Sequence, residues 1–147
     1  MSEQYLKLIM GQQRILLPLS QVKLTLRLPT LHEVPNQTKG FEGTLNYHGV
    51  SVPVYNLGNY VGLEPVQREI DTPLILCQFN KGLLGLLVSE VNEVVFLEKK
   101  DIQTPELSQL PDFVQGTYES ENESMWIIQL EALINPKAHL TQVADDE

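Results

Sequence analysis

Apolar and polar residues alternate on both sides of a glycine in the stretch 43–57, Gly-Thr-Leu-Asn-Tyr-His-Gly-Val-Ser-Val-Pro-Val-Tyr-Asn-Leu. Leu45 and Tyr47 alternate before Gly49, and Val50, Val52 and Val54 alternate after it. A period of two around a turn residue predicts a strand, a tight bend and a second strand. Pro53 falls inside the second run. It has no N–H for a ladder, so it predicts an edge strand or a neighbouring bulge. Leu57-Gly58 ends the run, and Asn59-Tyr60-Val61-Gly62 reads as one helical turn closed by glycine.

The same pattern returns near the C-terminus. Gly116 to Leu130 has the spacing of Gly43 to Leu57, with Met125-Trp126-Ile127-Ile128 in place of Val52-Pro53-Val54-Tyr55. At a second constant offset, Leu6, Leu8 and Met10 meet Ile75, Cys77 and Phe79, and Leu17, Leu19, Val22, Leu26 and Leu28 meet Leu86, Val88, Val91, Val95 and Leu97. Chance matching of apolar residues explains one offset poorly and two worse, so the chain reads as two diverged copies of one unit.

The remaining segments follow the same rules. Tyr5 to Met10 and Arg14 to Leu17 form a hairpin about Gly11, and Val22 to Leu28 alternates as a further strand. The segment 29–39 is a Pro-rich loop, and the polar segment 64–72 connects the copies. The second copy opens with Leu74 to Phe79, turns at Asn80-Lys81-Gly82 and continues as Leu83 to Val88, apolar on both faces. Val91 to Leu97 is a strand, 99–111 a loop, Phe113 to Tyr118 and Ser124 to Leu130 a last hairpin, and 131–135 a short helix. Many short strands and few helical periods give an all-β class, and their shortness favours two compact barrels over one sandwich.

Composition narrows the function. The 147 residues, 42% of them hydrophobic, suit one globular domain or two small lobes. No apolar run approaches the roughly 20 residues of a membrane span, and no basic-then-apolar N-terminus signals secretion. A net charge of −9 disfavours nucleic acid. The lone Cys77 excludes an internal disulfide and reads as a buried thiol.

Catalytic and metal chemistry find little support. His32, His48 and His139 are scattered without metal-ligand spacing, and no glycine-rich phosphate loop or serine nucleophile motif occurs. Glu119, Glu121 and Glu123 alternate at a hairpin tip but lack a calcium-loop pattern, and a solvated turn is the simpler reading. Trp126, in an apolar strand, is expected to be largely buried. No catalytic residue, metal or cofactor is assigned.

The pattern Gly43, Asn46, Gly49, Pro53, Val54 and Leu57 resembles the signature of CheW, the chemotaxis coupling protein. Gly85-Leu86-Leu87-Val88-Ser89-Glu90-Val91, Phe113 to Gly116 and Leu130 to Leu133 resemble its other hallmarks. The resemblance covers almost everything from Tyr5 to Asn135. It implies one CheW-like domain of two five-stranded SH3-like β-barrels with short helical turns, over approximately 5–63 and 74–135. Strand exchange between the barrels is left open, and 136–147 is a flexible acidic tail. It implies a cytoplasmic, non-catalytic adaptor that couples the cytoplasmic tips of chemoreceptors to the regulatory domain of a CheA-type histidine kinase.

The resemblance makes Gly43, Asn46, Gly49, Pro53, Leu57, Gly85 and Gly116 structural, and points to Val22, Leu24, His48, Val50, Leu86 and Val88 as partner-binding residues. The family usually carries Arg at His48 and Asp at Asn56, Ser89 and, less strictly, Gln129. An imidazole offers two donors where a guanidinium offers five and a permanent charge, so these departures bear on coupling rather than on folding. Two other readings stand beside the adaptor. One is a divergent CheW-like module of a type IV pilus, twitching or other chemosensory pathway with a different partner. The other is a small-molecule-binding or enzymatic β-barrel, which a pocket with converging polar side chains would favour.

Overall fold

The computed structural model describes residues 2–33, 35, 40–79, 82–104, 110–111 and 113–130. The turn at Asn80-Lys81, the helix at 131–135, the tail at 136–147 and His139 lie outside the described residues. The strands are β1 (Ser2–Met10), β2 (Gln13–Pro18), β3 (Val22–Arg27), β4 (Phe41–Tyr47), β5 (Val50–Asn56), β6 (Pro73–Phe79), β7 (Gly82–Leu87), β8 (Glu90–Glu98), β9 (Val114–Ser120) and β10 (Glu123–Ile128). They form two five-stranded sheets, ordered β8-β1-β2-β10-β9 and β3-β6-β7-β5-β4. One helical turn, α1 (Leu57–Tyr60), follows β5 and starts two residues before the sequence places it, because the Asn56 side chain accepts the Gly58 N–H and caps it.

The sheets do not follow the contiguous halves 5–63 and 74–135. The hairpin β1–β2 of the first half lies between β8 and β10 of the second, and the hairpin β6–β7 of the second lies between β3 and β5 of the first. Each half therefore gives its N-terminal hairpin to the other, while its own β3–β5 or β8–β10 receives one.

The two sheets correspond pair by pair. Leu6↔Leu17 in one hairpin corresponds to Ile75↔Leu86 in the other. The parallel pair Leu16↔Ile127 corresponds to Gly85↔Val54. Register shifts recur at equivalent places, before Gly43 on β4 and before Gly116 on β9. Beyond β3, a bridge from His32 to Thr44 joins the two ends of the second sheet, and Gln103 to Thr117 does the same for the first. Joining the ends of a five-stranded sheet curls it into a small barrel.

Alternation along the central strands fills three cores. Leu6, Leu8, Ile15 and Leu17 face Ile75, Cys77, Leu84 and Leu86 in the layer between the sheets. The intervening residues face inward: Leu74, Leu76 and Leu87 in one barrel, Tyr5 and Leu16 in the other. Both faces of these strands are thus buried, which explains the unbroken apolar run at β7. Gly85 keeps that run close-packed, since a Cβ there would stand 3.0 Å from Val54 Cγ2.

Pro53 lies on an inner strand beside the register shift before Gly43, the neighbouring bulge that its place in the run predicts, and just past the end of the ladder by which β7 pairs with Val54, Tyr55 and Asn56. Trp126 is partly buried. Its neighbours Met125 and Ile127 fill the barrel, while Trp126 lies on the opposite side of β10, packed against the layer between the sheets, and meets Phe113 edge-on at 6.1 Å. Glu123 is not an idle tip residue. Its carboxylate takes Lys7 Nζ at 3.1 Å and Arg14 Nε at 3.3 Å, and the hydrogen bond from Lys7 holds the carboxyl below its ordinary range.

Cys77 is fully buried between the sheets, and burial pushes its thiol from 9.0 up to about 12. Because the folded pKa is raised, its contribution to stability is complete below the unfolded value and lost as pH rises towards the folded one. A thiol-specific reagent at pH 8 should modify Cys77 only at the rate of unfolding, and at once in strong urea. Rapid labelling of the native protein would contradict this burial.

Candidate interaction surface

The β4–β5 hairpin is built to present its tip. His48 and Gly49 have φ of 53° and 85°, the left-handed pair of a two-residue I′ turn. Histidine is among the side chains that tolerate this region, and glycine prefers it. The Gly49 N–H donates to Asn46 Oδ1 at 2.9 Å, which locks the bend from its first strand. His48 is exposed and stands edge-on to Tyr47 at 4.3 Å, and Val50 is 50% exposed. The equivalent tip of the β9–β10 hairpin places Glu121 at φ 48°.

The six candidate residues divide three ways. His48 and Val50 share the hairpin tip. Val22 and Leu24 are half-buried on β3, Val22 against the layer between the sheets and Leu24 against the barrel interior. Leu86 and Val88 have no exposed surface and belong to the core. Leu86 is removed from the surface because an inner strand with neighbours on both sides and a sheet beneath it has no free face, and Val88, just past the end of β7, is turned into the same layer.

The base of the same hairpin holds a polar cluster around Asn56, only 2% exposed. Its Oδ1 accepts the N–H of Gly58 at 3.1 Å and of Val66 at 2.9 Å. Its Nδ2 donates to Val66 O at 3.0 Å and to Glu42 Oε2 at 3.1 Å. Arg68 Nε donates to the other Glu42 oxygen at 2.8 Å. The amide thus ties the connecting segment to β4, β5 and α1. An Asp, usual in the resembling pattern, accepts but does not donate when ionised, so it would face the Val66 carbonyl and the Glu42 carboxylate. The departure at Asn56 is explained by its setting; sequence reading flagged it but missed the buried network.

A cleft of about 880 Å³ lies between the β1–β2 turn and the connector, lined among others by Gln12, Glu64, Glu69, Asp71 and Ser89. Ser89 is exposed at its rim, and none of the six partner candidates lines it. Its charged lining is wholly acidic. Among the described residues, no group of His, Cys, Asp and Glu is placed to hold a metal ion, and no helix is long and apolar enough to cross a membrane.

Residues 4–137 match the family model of the CheW-like domain. A relative in Rhizobium etli, a probable chemotaxis protein CheW, is 27% identical over 105 residues, covering 69% of this chain and 68% of that protein. Chemotaxis protein CheV3 of Helicobacter pylori is 23% identical over 122 residues, covering 79% of this chain but 39% of its own length. The crystal structure of scaffolding protein TtCheW from Thermoanaerobacter tengcongensis superposes with a TM-score of 0.82 at 21% identity, over 92% of this chain and 94% of that one.

Proposed function

This chain belongs to the CheW-like domain family, and from that premise we propose that it couples chemoreceptors to a CheA-type histidine kinase in the cytoplasm. It is a non-catalytic adaptor of chemotaxis signalling, so its work is done by surface complementarity. The observation that carries the finer reading is the β4–β5 tip. A locked I′ turn lifts His48 and Val50 out of the barrel without exposing any core. The kinase regulatory domain and the receptor tip are its partners in this reading.

Calorimetric titration tests the assignment of the tip. The His48→Ala chain should bind the regulatory domain of a CheA-type kinase, or a receptor-tip fragment, about 1 kcal/mol or more weaker than the native chain. Its melting temperature should hardly move, since the side chain is exposed. His48→Arg should fold equally well and shift the affinity. Unchanged affinity of both variants for both partners would take His48 out of the interface.

A further inference from the structure

The chain leaves its last strand beside a basic strand of the other sheet. β10 ends at Ile128, and Leu130, fully buried in the layer between the sheets, donates its N–H to Gln21 Oε1 at 3.3 Å. Gln21 immediately precedes β3. Residues 131–147 therefore set out from the first residue of that strand.

β3 turns Lys23, Thr25 and Arg27 to solvent, while Val22, Leu24 and Leu26 pack on the cores. The bridge from His32 to Thr44 joins the sheet beyond it, so the strand offers these side chains rather than a backbone edge. Among the described residues Lys7, Arg14, Arg68 and Lys100 each meet a carboxylate, whereas Lys23, Arg27 and Lys99 meet none. Two of those three share β3, in a chain of 19 acids and 10 bases. The segment 136–147 holds one base, Lys137, and three consecutive acids, Asp145-Asp146-Glu147. Its length is ample. From Leu130 to Asp145 an extended chain reaches about 50 Å, and the six residues of β3 span about 20 Å. The equivalent strand β8 carries Glu90, Glu93 and Glu98 and would repel the same acids.

We propose that the acidic segment 136–147 docks on the outward face of β3, with Asp145, Asp146 and Glu147 against Lys23 and Arg27. An exposed ion pair is weak by itself, but a tether this short holds the acids near the strand at an effective concentration of about millimolar, so weak pairs suffice. Val22 and Leu24 lie on the same strand, and the docked segment covers the approach to them. β3 is thus a site for acidic peptide whose resident occupant is the chain itself, and a partner that uses this strand must displace it. The docking needs no kinase or receptor, so it stands or falls separately from the adaptor reading.

A nitroxide on the Ala144→Cys variant of the full chain reads the contact, because buried Cys77 stays unlabelled in the native protein. The backbone amide signals of β3 should lose most of their intensity, and those of the equivalent strand β8 should keep theirs. The loss should vanish in about 1 M salt, where charges are screened beyond about 3 Å. It should also vanish in the variant Lys23→Glu, Arg27→Glu and in the variant Asp145→Lys, Asp146→Lys, Glu147→Lys, each with an unchanged circular dichroism spectrum. Combining the two sets of substitutions in one chain should restore it, since basic residues then face acidic ones again. Full-intensity β3 signals in the labelled native chain overturn the proposal. So does a loss that survives in Lys23→Glu, Arg27→Glu or in high salt, which would place the segment on something other than these charges, and so does a combined variant that restores nothing.

Discussion

Replacing Asn56 by Asp should destabilise the fold by about 3 kcal/mol at neutral pH, though the two side chains have nearly the same shape. The exchange removes both Nδ2 donations, to Val66 O and to Glu42 Oε2, and puts a carboxylate beside those acceptors. A buried acceptor that loses its donor costs about 1–3 kcal/mol, and a buried charge near another adds to that. The introduced carboxyl would have its folded pKa raised above its unfolded value. The neutral acid is then the compatible form, and the loss should shrink as pH falls towards 4. Glu42→Gln supplies a donor to the new carboxylate, so the double variant should recover part of the loss, as a double-mutant cycle would show. Asn56→Ala should cost about as much at every pH. Urea unfolding at two pH values measures all five chains; an Asp variant as stable as the native one at pH 7 would mean that the amide network is not what holds the connector.

The second large effect concerns the halves. Cut between Leu63 and Glu64, neither fragment should fold alone, and the two together should regain the native spectrum and a cooperative melt. Each fragment keeps a hairpin whose neighbours are both on the other fragment, and three strands that have lost the pair at their centre. A lone hairpin is marginal in water, and the layer between the sheets takes residues from both halves. Circular dichroism and thermal melts of the fragments, singly and mixed, decide it. A cooperative melt of either fragment alone would show that the exchanged strands are dispensable.

The repeat was legible because alternation survives divergence: Leu17 and Leu86 keep their layer although almost nothing around them is identical. The all-β class followed from the same period. The exchange of hairpins was left open by the sequence, because the same apolar faces serve whichever sheet a hairpin enters. Leu86 and Val88 were misplaced for a related reason, since an unbroken apolar run does not reveal which of its residues could reach a surface. The β4–β5 tip was readable from Asn46, His48 and Gly49, as turn chemistry is local. The Asn56 cluster was not, because Glu42, Val66 and Arg68 meet it only through tertiary structure.

The interleaved order of the strands also sets a timetable for synthesis. The first hairpin, β1–β2, leaves the ribosome before any strand that will flank it. Its neighbours β8 and β10 begin at Glu90 and Glu123, so most of the chain must be made first. At about 5–20 residues per second that is a wait of several seconds. The sheet of β3–β7 closes earlier, once β7 has emerged, and its outer layer of Ile75, Cys77, Leu84 and Leu86 then waits as the platform on which β1 and β2 settle. The first strands made are thus among the last to be fixed, and a nascent chain halted before β8 exposes an apolar hairpin to chaperones and proteases.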